Sequence, residues 1–225
     1  MLASDVLIRV RDTLADPTAN RWSDSLLLRL LDEAQNVICF KAKILRETRT
    51  LVAVSEQSTY SLPSNITDII KVKYKPYNKN IISLPIISST RLDEILTDNI
   101  KPGTPQYAVK NNLNKYILEL APAPKFTENV PFDITKATEI IVTYISKPNK
   151  ITALTDELDL DEAYKIMLAR YVIGNALRDD MDTQNRLVGN EELQMFNAWL
   201  SQIELEASKD FTFNSPYTTA YRPLS

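Results

Sequence analysis

Two clusters of carboxylates are the residues of this chain whose types and spacing could support chemistry. Asp179, Asp180 and Asp182 stand together at the expected end of a helix. Oxygen ligands of this kind could hold a magnesium or manganese ion for a hydrolase or nuclease. The alternative is a solvated helix end that turns outward or meets a basic group of a partner, because carboxylates are unfavourable at the negative pole of a helix. Both interpretations stay open at this point.

A second acidic run, Asp156 to Glu162, precedes another expected helix. Carboxylates in this position interact favourably with the partial positive charge of a helix N-terminus and can cap its first turn. A calcium loop would need a mid-loop glycine and a full set of spaced oxygen ligands, and the run has neither. We therefore expect these side chains to cap the helix.

Several absences restrict the kinds of chemistry that are open to the chain. It has no histidine, which removes the commonest general base and the commonest metal ligand. It has three glycines, where average usage would give about 16, so a phosphate-binding loop cannot be assembled. The single cysteine, Cys39, excludes an internal disulfide and is expected to be buried. We predict no cofactor, no metal and no catalytic site.

The charges divide the chain into three segments. Residues 1–40 carry a net charge of −2, residues 41–150 carry +6, and residues 151–225 carry −7. No run approaches the roughly 18 consecutive apolar residues of a membrane span. The N-terminal residues carry charges between their apolar side chains, so we expect neither a signal peptide nor a membrane span.

The stretch from Arg21 to Lys43 predicts a long helix at the centre of a small bundle. Its apolar residues recur at i, i+3, i+4 and i+7, and no glycine or proline interrupts them. Ser23 or Asp24 can accept hydrogen bonds from the N–H groups of the first turn. Trp22, directly before Ser23, can fold back onto that turn as a hydrophobic staple. We expect this helix over about Asp24 to Ile44, with Trp22 and Ser23 as structural anchors.

Three further helices are predicted at the two ends of the chain. The first runs from about Ser4, which can cap it, to Ala15. The segment Asp16–Asn20 forms a turn, because the proline within it cannot continue a helix. The second of them covers about Asp161–Asp179. The last ends near Ser208, with Trp199 beside its apolar face as a further anchor.

Between the helices the apolar period changes from 3.6 to 2, which predicts strands. The segment Glu139–Ser146 is apolar on both faces and is expected to be a central strand. Another strand, Ile66–Lys75, carries a basic stripe at strand spacing, composed of Lys71, Lys73, Lys75 and Lys79. Ile70, Val72 and Tyr74 are expected on the opposite face. The stripe is a solvated face, a contact with a neighbouring copy, or a polyanion site, although four lysines are few for tight DNA binding.

Residues 211–225 have neither helical nor strand periodicity. Four aromatic residues and one arginine distinguish this segment: Phe211, Phe213, Tyr217, Tyr221 and Arg222. A solvated terminus rarely carries so many aromatics, so we expect a peptide that becomes ordered on a partner. A frayed end is the alternative.

The predicted fold class is α+β: a helical bundle formed by the N- and C-terminal helices, with an inserted β-rich subdomain and an extended C-terminal tail. We expect residues 1–45 and 151–210 to form the bundle. Residues 46–150 form the insert, and residues 211–225 form the docking tail.

The order of these pieces resembles the head-to-tail adaptor proteins of tailed bacteriophages. The resemblance covers most of the chain and rests on the spacing of Thr13–Asp16, Arg21–Leu27, Tyr60–Pro63, Pro105–Tyr107, Leu118–Pro122, Val142–Pro148 and the tyrosine-rich helix Tyr164–Asp179. The chain departs from the family pattern in its glycine-poor sheet region and its aromatic tail. A different tail or baseplate protein on a similar helical frame is the runner-up.

The resemblance implies a structural, non-enzymatic virion subunit at the head-tail junction, made in the host cytoplasm. Such proteins form a homo-oligomeric ring, a dodecamer, that matches the symmetry of the portal protein and docks beneath it. DNA passes through their channel without sequence-specific binding, and a downstream tail or stopper protein attaches to the ring. Their C-terminal segments commonly dock into the portal, which implies that role for the tail here.

Overall fold

A computed structural model of the chain describes residues 1–77, 79–95, 101–111, 114–126 and 138–213, with side chains to residue 207 in the last helix. These residues contain five α-helices and two four-stranded sheets. The predicted α+β class is therefore confirmed. No helix among them combines the length and apolarity needed to cross a bilayer.

The chain divides into two compact units. The helical unit comprises Met1–Ile44 together with Pro148–Ser225, and the β unit comprises Leu45–Lys147. Both ends of the chain therefore contribute to one bundle, and the β unit is inserted between them.

The helical unit contains four of the five helices. They are α1 (Ala3–Leu14), α2 (Asp24–Ala42), α4 (Lys165–Arg178) and α5 (Thr183–Phe213), and a 3₁₀ turn at Glu162–Tyr164 leads into α4. Helix α4 contacts each of the other three, so it is the central element of the bundle. The core takes fully buried side chains from every helix, among them Val6, Val10, Leu27, Leu31, Leu168, Val172 and Phe196.

The start of α1 differs from the prediction. Ser4 lies inside the helix and does not cap it, because the helix begins at Ala3. Two backbone carbonyls take the place of a capping side chain: the Ala3 N–H donates to Asp156 O (2.9 Å) and the Ser4 N–H donates to Leu154 O (3.0 Å). The N–H groups that a helix start leaves unpaired are thus satisfied by a distant segment, which no local pattern could reveal.

Two of the three glycines lie where α4 and α5 cross. A Cβ atom built on Gly189 would lie 2.7 Å from the backbone nitrogen of Arg178 and 2.8 Å from the carbonyl oxygen of Gly174. A Cβ atom on Gly174 would lie 2.7 Å from Leu193 Cγ and 3.0 Å from Gly189 O. The two helices therefore approach so closely that only hydrogen fits at these positions.

We expect Gly189→Ala to lower the free energy of unfolding by about 1–3 kcal/mol, the usual cost of overpacking, although alanine is the better helix former. Urea unfolding followed by circular dichroism measures the change. The control is Asn190→Ala, at the next and exposed position of α5, which should leave stability within about 0.5 kcal/mol. An unchanged or higher stability of the glycine variant would contradict the tight crossing.

The β unit is built from two sheets. Strands β1 (Arg46–Val52), β8 (Glu139–Ser146), β3 (Ile66–Lys75) and β4 (Ile82–Leu84) form the first sheet in that order. Strands β2 (Thr59–Ser61), β7 (Ile117–Ala121), β6 (Tyr107–Lys110) and β5 (Ile86–Ser88) form the second. Every pair is antiparallel except β5 with β6. Helix α3 (Ser89–Ile95) follows β5.

One hydrophobic cluster takes side chains from both sheets, so the sheets pack face to face. Its members include Tyr60, Ile66, Ile69, Val72, Tyr74, Leu84, Ala108, Leu118, Leu120, Ile140, Val142 and Tyr144. Ile70 was predicted on the same face as Val72 and Tyr74, which are buried, but Ile69 is buried in its place and Ile70 is only half-buried. Register shifts in the β3–β8 pairing, between Ile66 and Asp68 and between Ile69 and Lys71, change the alternation of the faces.

The last helix is longer than predicted. It continues to Phe213, so Phe211 and Phe213 lie on helical backbone and the start of an extended tail at residue 211 was wrong. A helix of 31 residues is about 46 Å long. Tyr217, Tyr221 and Arg222 lie outside the described residues.

Candidate functional surfaces

The turn between α1 and α2 is organised by the carboxylate of Asp16. This side chain is nearly buried and accepts hydrogen bonds from three successive backbone N–H groups, those of Asn20 (2.9 Å), Arg21 (3.1 Å) and Trp22 (3.0 Å). The bond from Trp22 is the largest of the effects that hold the pKa of Asp16 below its ordinary value. An ionised aspartate therefore fixes the chain reversal that leads into α2.

Arg11 holds the same turn from the side of α1. Its guanidinium donates to the backbone oxygens of Asp16 (3.0 Å) and Trp22 (3.1 Å) and to the carboxylate of Asp24 (2.5 Å). The Arg11 side chain is 13% exposed, so these charge-assisted bonds are partly shielded from water. The turn is thus held at both ends by one arginine.

The two predicted anchors at the start of α2 occupy the positions that the sequence indicated. The Ser23 side chain accepts from the Leu26 N–H (3.3 Å) and caps the helix. The Trp22 indole is buried, and its N–H donates to Ala176 O (3.3 Å) in the last turns of α4. Trp22 therefore joins the start of α2 to the end of α4.

The carboxylate of Asp180 is bound within the helical unit. It pairs with the Arg21 guanidinium and accepts from Asn185 Nδ2 (2.5 Å). The hydrogen bonds from Asn185 and Arg21 lower the pKa of Asp180 to about 2. The basic group that this acidic cluster was expected to meet is thus an arginine of the same chain.

The other two carboxylates of the cluster have separate roles. Asp182 accepts from the Gln184 N–H (2.9 Å) and so caps the start of α5. Asp179 is 75% exposed and lies 3.6 Å from Arg178 Nε. Within the part of the chain that the structure describes, no group of three or more carboxylate, thiol or imidazole side chains is placed to hold a metal ion. Asp180 and Asp182 act as structural acceptors, and the three carboxylates do not converge on a common point.

The acidic run before α4 is also used for local hydrogen bonding. Asp156 accepts from the Thr152 N–H (2.7 Å) and the Ala153 N–H (2.9 Å), and these bonds lower its pKa. Asp161 accepts from the Ala163 N–H (2.9 Å) at the start of the 3₁₀ turn, as the capping interpretation predicted.

The junction of the α1–α2 turn with the end of α4, formed by Arg11, Asp16, Arg21, Trp22 and Asp180, is called the corner. A cleft of about 270 Å³ opens there. Arg21, Trp22, Leu26, Asn175, Asp180 and Met181 line it. The Arg21 guanidinium lies 4.7 Å from the centre of the Trp22 ring, and Met181 is 97% exposed beside it. Its walls combine apolar surface with the Arg21–Asp180 ion pair, in which the Arg21 side chain is 51% exposed and the Asp180 side chain is 9% exposed.

The third predicted anchor, Trp199, belongs to an aromatic cluster between α4 and α5. Its ring meets Tyr164 edge-on at 5.9 Å and lies 6.1 Å from Phe196, which in turn meets Tyr171 at 5.0 Å. Such pairs add to the stability that burial alone provides. They hold α5 against the central helix and the 3₁₀ turn that precedes it.

The lysines of the basic stripe divide into two groups. Lys71, Lys73 and Lys75 lie on the face of β3 that is opposite the sandwich core, and Lys79 lies in the following turn. Lys75 pairs with Glu139 of β8 (3.0 Å). Among the described residues Lys71 and Lys73 have no ion-pair partner. The first sheet therefore presents a basic outer face.

Several residues that position these surfaces were not found from the sequence. Arg11, Asp16 and Asn185 make the hydrogen bonds that hold the corner together. Gly174 and Gly189 allow the short distance between the last two helices. The only available signal was that Asp16 and Trp22 fall within motifs of the adaptor resemblance.

Comparison with known families identifies the class of protein. The chain is a phage adaptor, a structural component of the virion. It belongs to the SU10 adaptor protein family, whose model matches residues 1–220. The resemblance to head-to-tail adaptors is thereby confirmed. No curated protein matches the chain.

The lowered pKa of Asp180 predicts a dependence of stability on pH. A carboxyl whose pKa falls on folding stabilises the fold above its ordinary value of 3.8, and this stabilisation is lost as the pH falls toward about 2. We expect Asp180→Asn to be less stable than the natural chain at pH 7, with the difference shrinking between pH 4 and 2. Urea unfolding over this range measures it.

The matched control is Asp179→Asn, the exposed neighbour, which should have a small effect at every pH. A deficit of Asp180→Asn that stays constant down to pH 2 would show that the charge of Asp180 is not what stabilises the corner.

Proposed function

We propose that this chain is a non-enzymatic ring subunit of the head-to-tail junction. Copies assemble into a dodecameric ring beneath the portal protein, extend the DNA channel and provide a platform for the next tail component. The family match over residues 1–220 is the observation that carries this proposal. It is supported by a site geometry in which the acidic clusters serve as helix caps and turn acceptors.

The distribution of charge favours a head-to-tail contact between copies. The β unit has 13 Lys/Arg and 10 Asp/Glu, a net charge of +3, whereas the helical unit has 13 Lys/Arg and 19 Asp/Glu, a net charge of −6. A ring uses a heterologous interface, in which one patch meets a different patch on the next copy. We propose that the basic outer face carrying Lys71, Lys73 and Lys75, with Lys79 beside it, meets the acidic helical unit of its neighbour.

We further propose that the end of the chain attaches the ring to the portal. Helix α5 carries Phe211 and Phe213 on its last turns, and Tyr217, Tyr221 and Arg222 follow in sequence. Between Ser201 and Ala207, the last part of the helix whose side chains the structure describes, Ile203 and Ala207 are half-buried and the other residues are exposed. This exposure supports a role for the end of the chain in binding a partner.

DNA is proposed to pass through the ring without sequence-specific binding. Phosphate contacts strong enough to hold DNA would oppose its movement through a channel. This is why the lysines are assigned to the contact between copies.

Charge reversal tests the contact between copies. We expect a Lys71→Glu, Lys73→Glu double variant to fold normally and to lose ring formation when mixed with portal, as seen by electron microscopy. A Lys101→Glu, Lys115→Glu double variant changes the charge of the β unit equally but leaves the outer face intact, and it should form rings. Rings formed equally well by both would contradict the assignment of the lysines.

Truncation tests the attachment. A chain that ends after Phe213 keeps α5 whole, so its thermal unfolding should match that of the full chain. We expect it to lose cosedimentation with portal, because the aromatic segment that would bury surface on the portal is removed. A full-length Tyr217→Ser, Tyr221→Ser variant should lose part of the same binding. Unchanged attachment of the truncated chain would disprove a docking role for residues 214–225.

A further inference from the structure

The outer edge of β1 differs from the other sheet edges that the structure describes. β1 is seven residues long and lies at the end of its sheet, paired only with β8 among the described strands. The remaining edge strands, β2, β4 and β5, have three residues each, and Pro85 separates β4 from β5. Short strands and prolines are two of the means by which proteins protect sheet edges, and β1 has neither; it carries charged side chains instead.

The direction of the β1 backbone groups follows from the hydrogen bonds at its two ends. The Ala53 N–H donates to Thr138 O (2.8 Å), and the Ser146 N–H donates to Leu45 O (2.9 Å). Bonded and non-bonded pairs alternate along an antiparallel ladder, and the β1–β8 register is regular. The odd-numbered residues therefore bond to β8. Thr48 and Thr50 direct their N–H and C=O groups away from the sheet.

The side chains along this edge alternate in charge. Glu47 and Arg49 are both exposed and point to the same face of the sheet. Glu47 accepts from the Tyr144 hydroxyl (2.8 Å) and from Asn65 (3.3 Å), which orients its carboxylate. Arg49 has no ion-pair partner in the described chain. An edge with lysines alone would repel a second copy, whereas this edge carries both signs.

One register of two paired β1 strands places opposite charges next to each other. In an antiparallel pair related by a two-fold axis, a centre at Glu47 or at Arg49 places like charges opposite each other. A centre at Thr50 leaves both charges opposite uncharged residues. A centre at Thr48 places Glu47 of each copy opposite Arg49 of the other, twice, in the non-hydrogen-bonded positions where side chains approach most closely.

We propose that two copies of this chain pair through the outer edges of β1, antiparallel and centred on Thr48. The contact joins two four-stranded sheets into one continuous sheet of eight strands, with both basic outer faces on the same side. It is isologous and therefore closed, so it cannot extend into a ring. The dimer is a state of the free chain, distinct from the proposed ring.

Sedimentation velocity on the purified full chain tests this pairing. An edge contact of this size is small, so the dimer should be weak. We expect a reversible monomer–dimer equilibrium at protein concentrations of about 5–300 μM. Arg49→Glu replaces both opposite-charge pairs with like-charge pairs and should weaken dimerisation at least about tenfold. Glu47→Arg should do the same. An equimolar mixture of the two variants should restore dimers, because each then supplies the charge that the other lacks.

Two controls test whether dimerisation depends on the β1 edge itself and not on net charge. Lys101→Glu changes the net charge of the β unit by the same amount, and its dimerisation should equal that of the natural chain. Thr48→Pro removes an outward N–H and should abolish dimers, whereas Thr48→Ala keeps the N–H and should retain them. A natural chain that stays monomeric throughout overturns the proposal, and so do dimers that are insensitive to Arg49→Glu. Neither result bears on whether rings form with portal.

Discussion

The helical unit depends on a corner built around one ionised carboxylate. Asp16 satisfies three consecutive backbone N–H groups, and Arg11 binds the carbonyls of the same turn. The turn delivers the Trp22 indole to a carbonyl of α4, a residue 154 positions later in the chain, and directs Arg21 toward Asp180. Because the β unit interrupts the chain between these segments, the corner holds the two ends of the protein together.

The acidic composition of the helical unit is explained by the same kind of interaction. Aspartates 16, 156, 161 and 182 each accept from backbone N–H groups at a turn or a helix start. In a chain with three glycines, turns depend on side-chain acceptors more than on glycine conformations. The lowered pKa values of Asp16, Asp156 and Asp180 therefore result from hydrogen bonds that form when the chain folds. Perturbed carboxyls commonly mark catalytic sites, but structural networks shift pKa values too.

The β unit directs its apolar residues to one cluster between the sheets and leaves a polar outer face. This division suits an assembly subunit, since one face stabilises the fold and the other is available to neighbours. The basic stripe and the β1 edge lie on the same sheet but present different chemistry: side-chain charge over the face, and backbone hydrogen-bonding groups with paired charges along the edge. One sheet can therefore support two distinct contacts.

The sequence by itself determined the elements whose cause is local. The period of 3.6 predicted α2, the residue types at its start offered Ser23 or Asp24 as its cap, and the period of 2 predicted β3. A run that is apolar on both faces predicted β8, and the order of motifs indicated an adaptor. The tertiary structure alone decided the partners of Asp180 and the bulges that turn Ile69 inward. It also decided the start of α1, which carbonyls of residues 154 and 156 satisfy, and the crossing at Gly174 and Gly189. These features arise from groups that lie far apart in the chain or on packed elements, and periodicity along the chain does not encode such contacts.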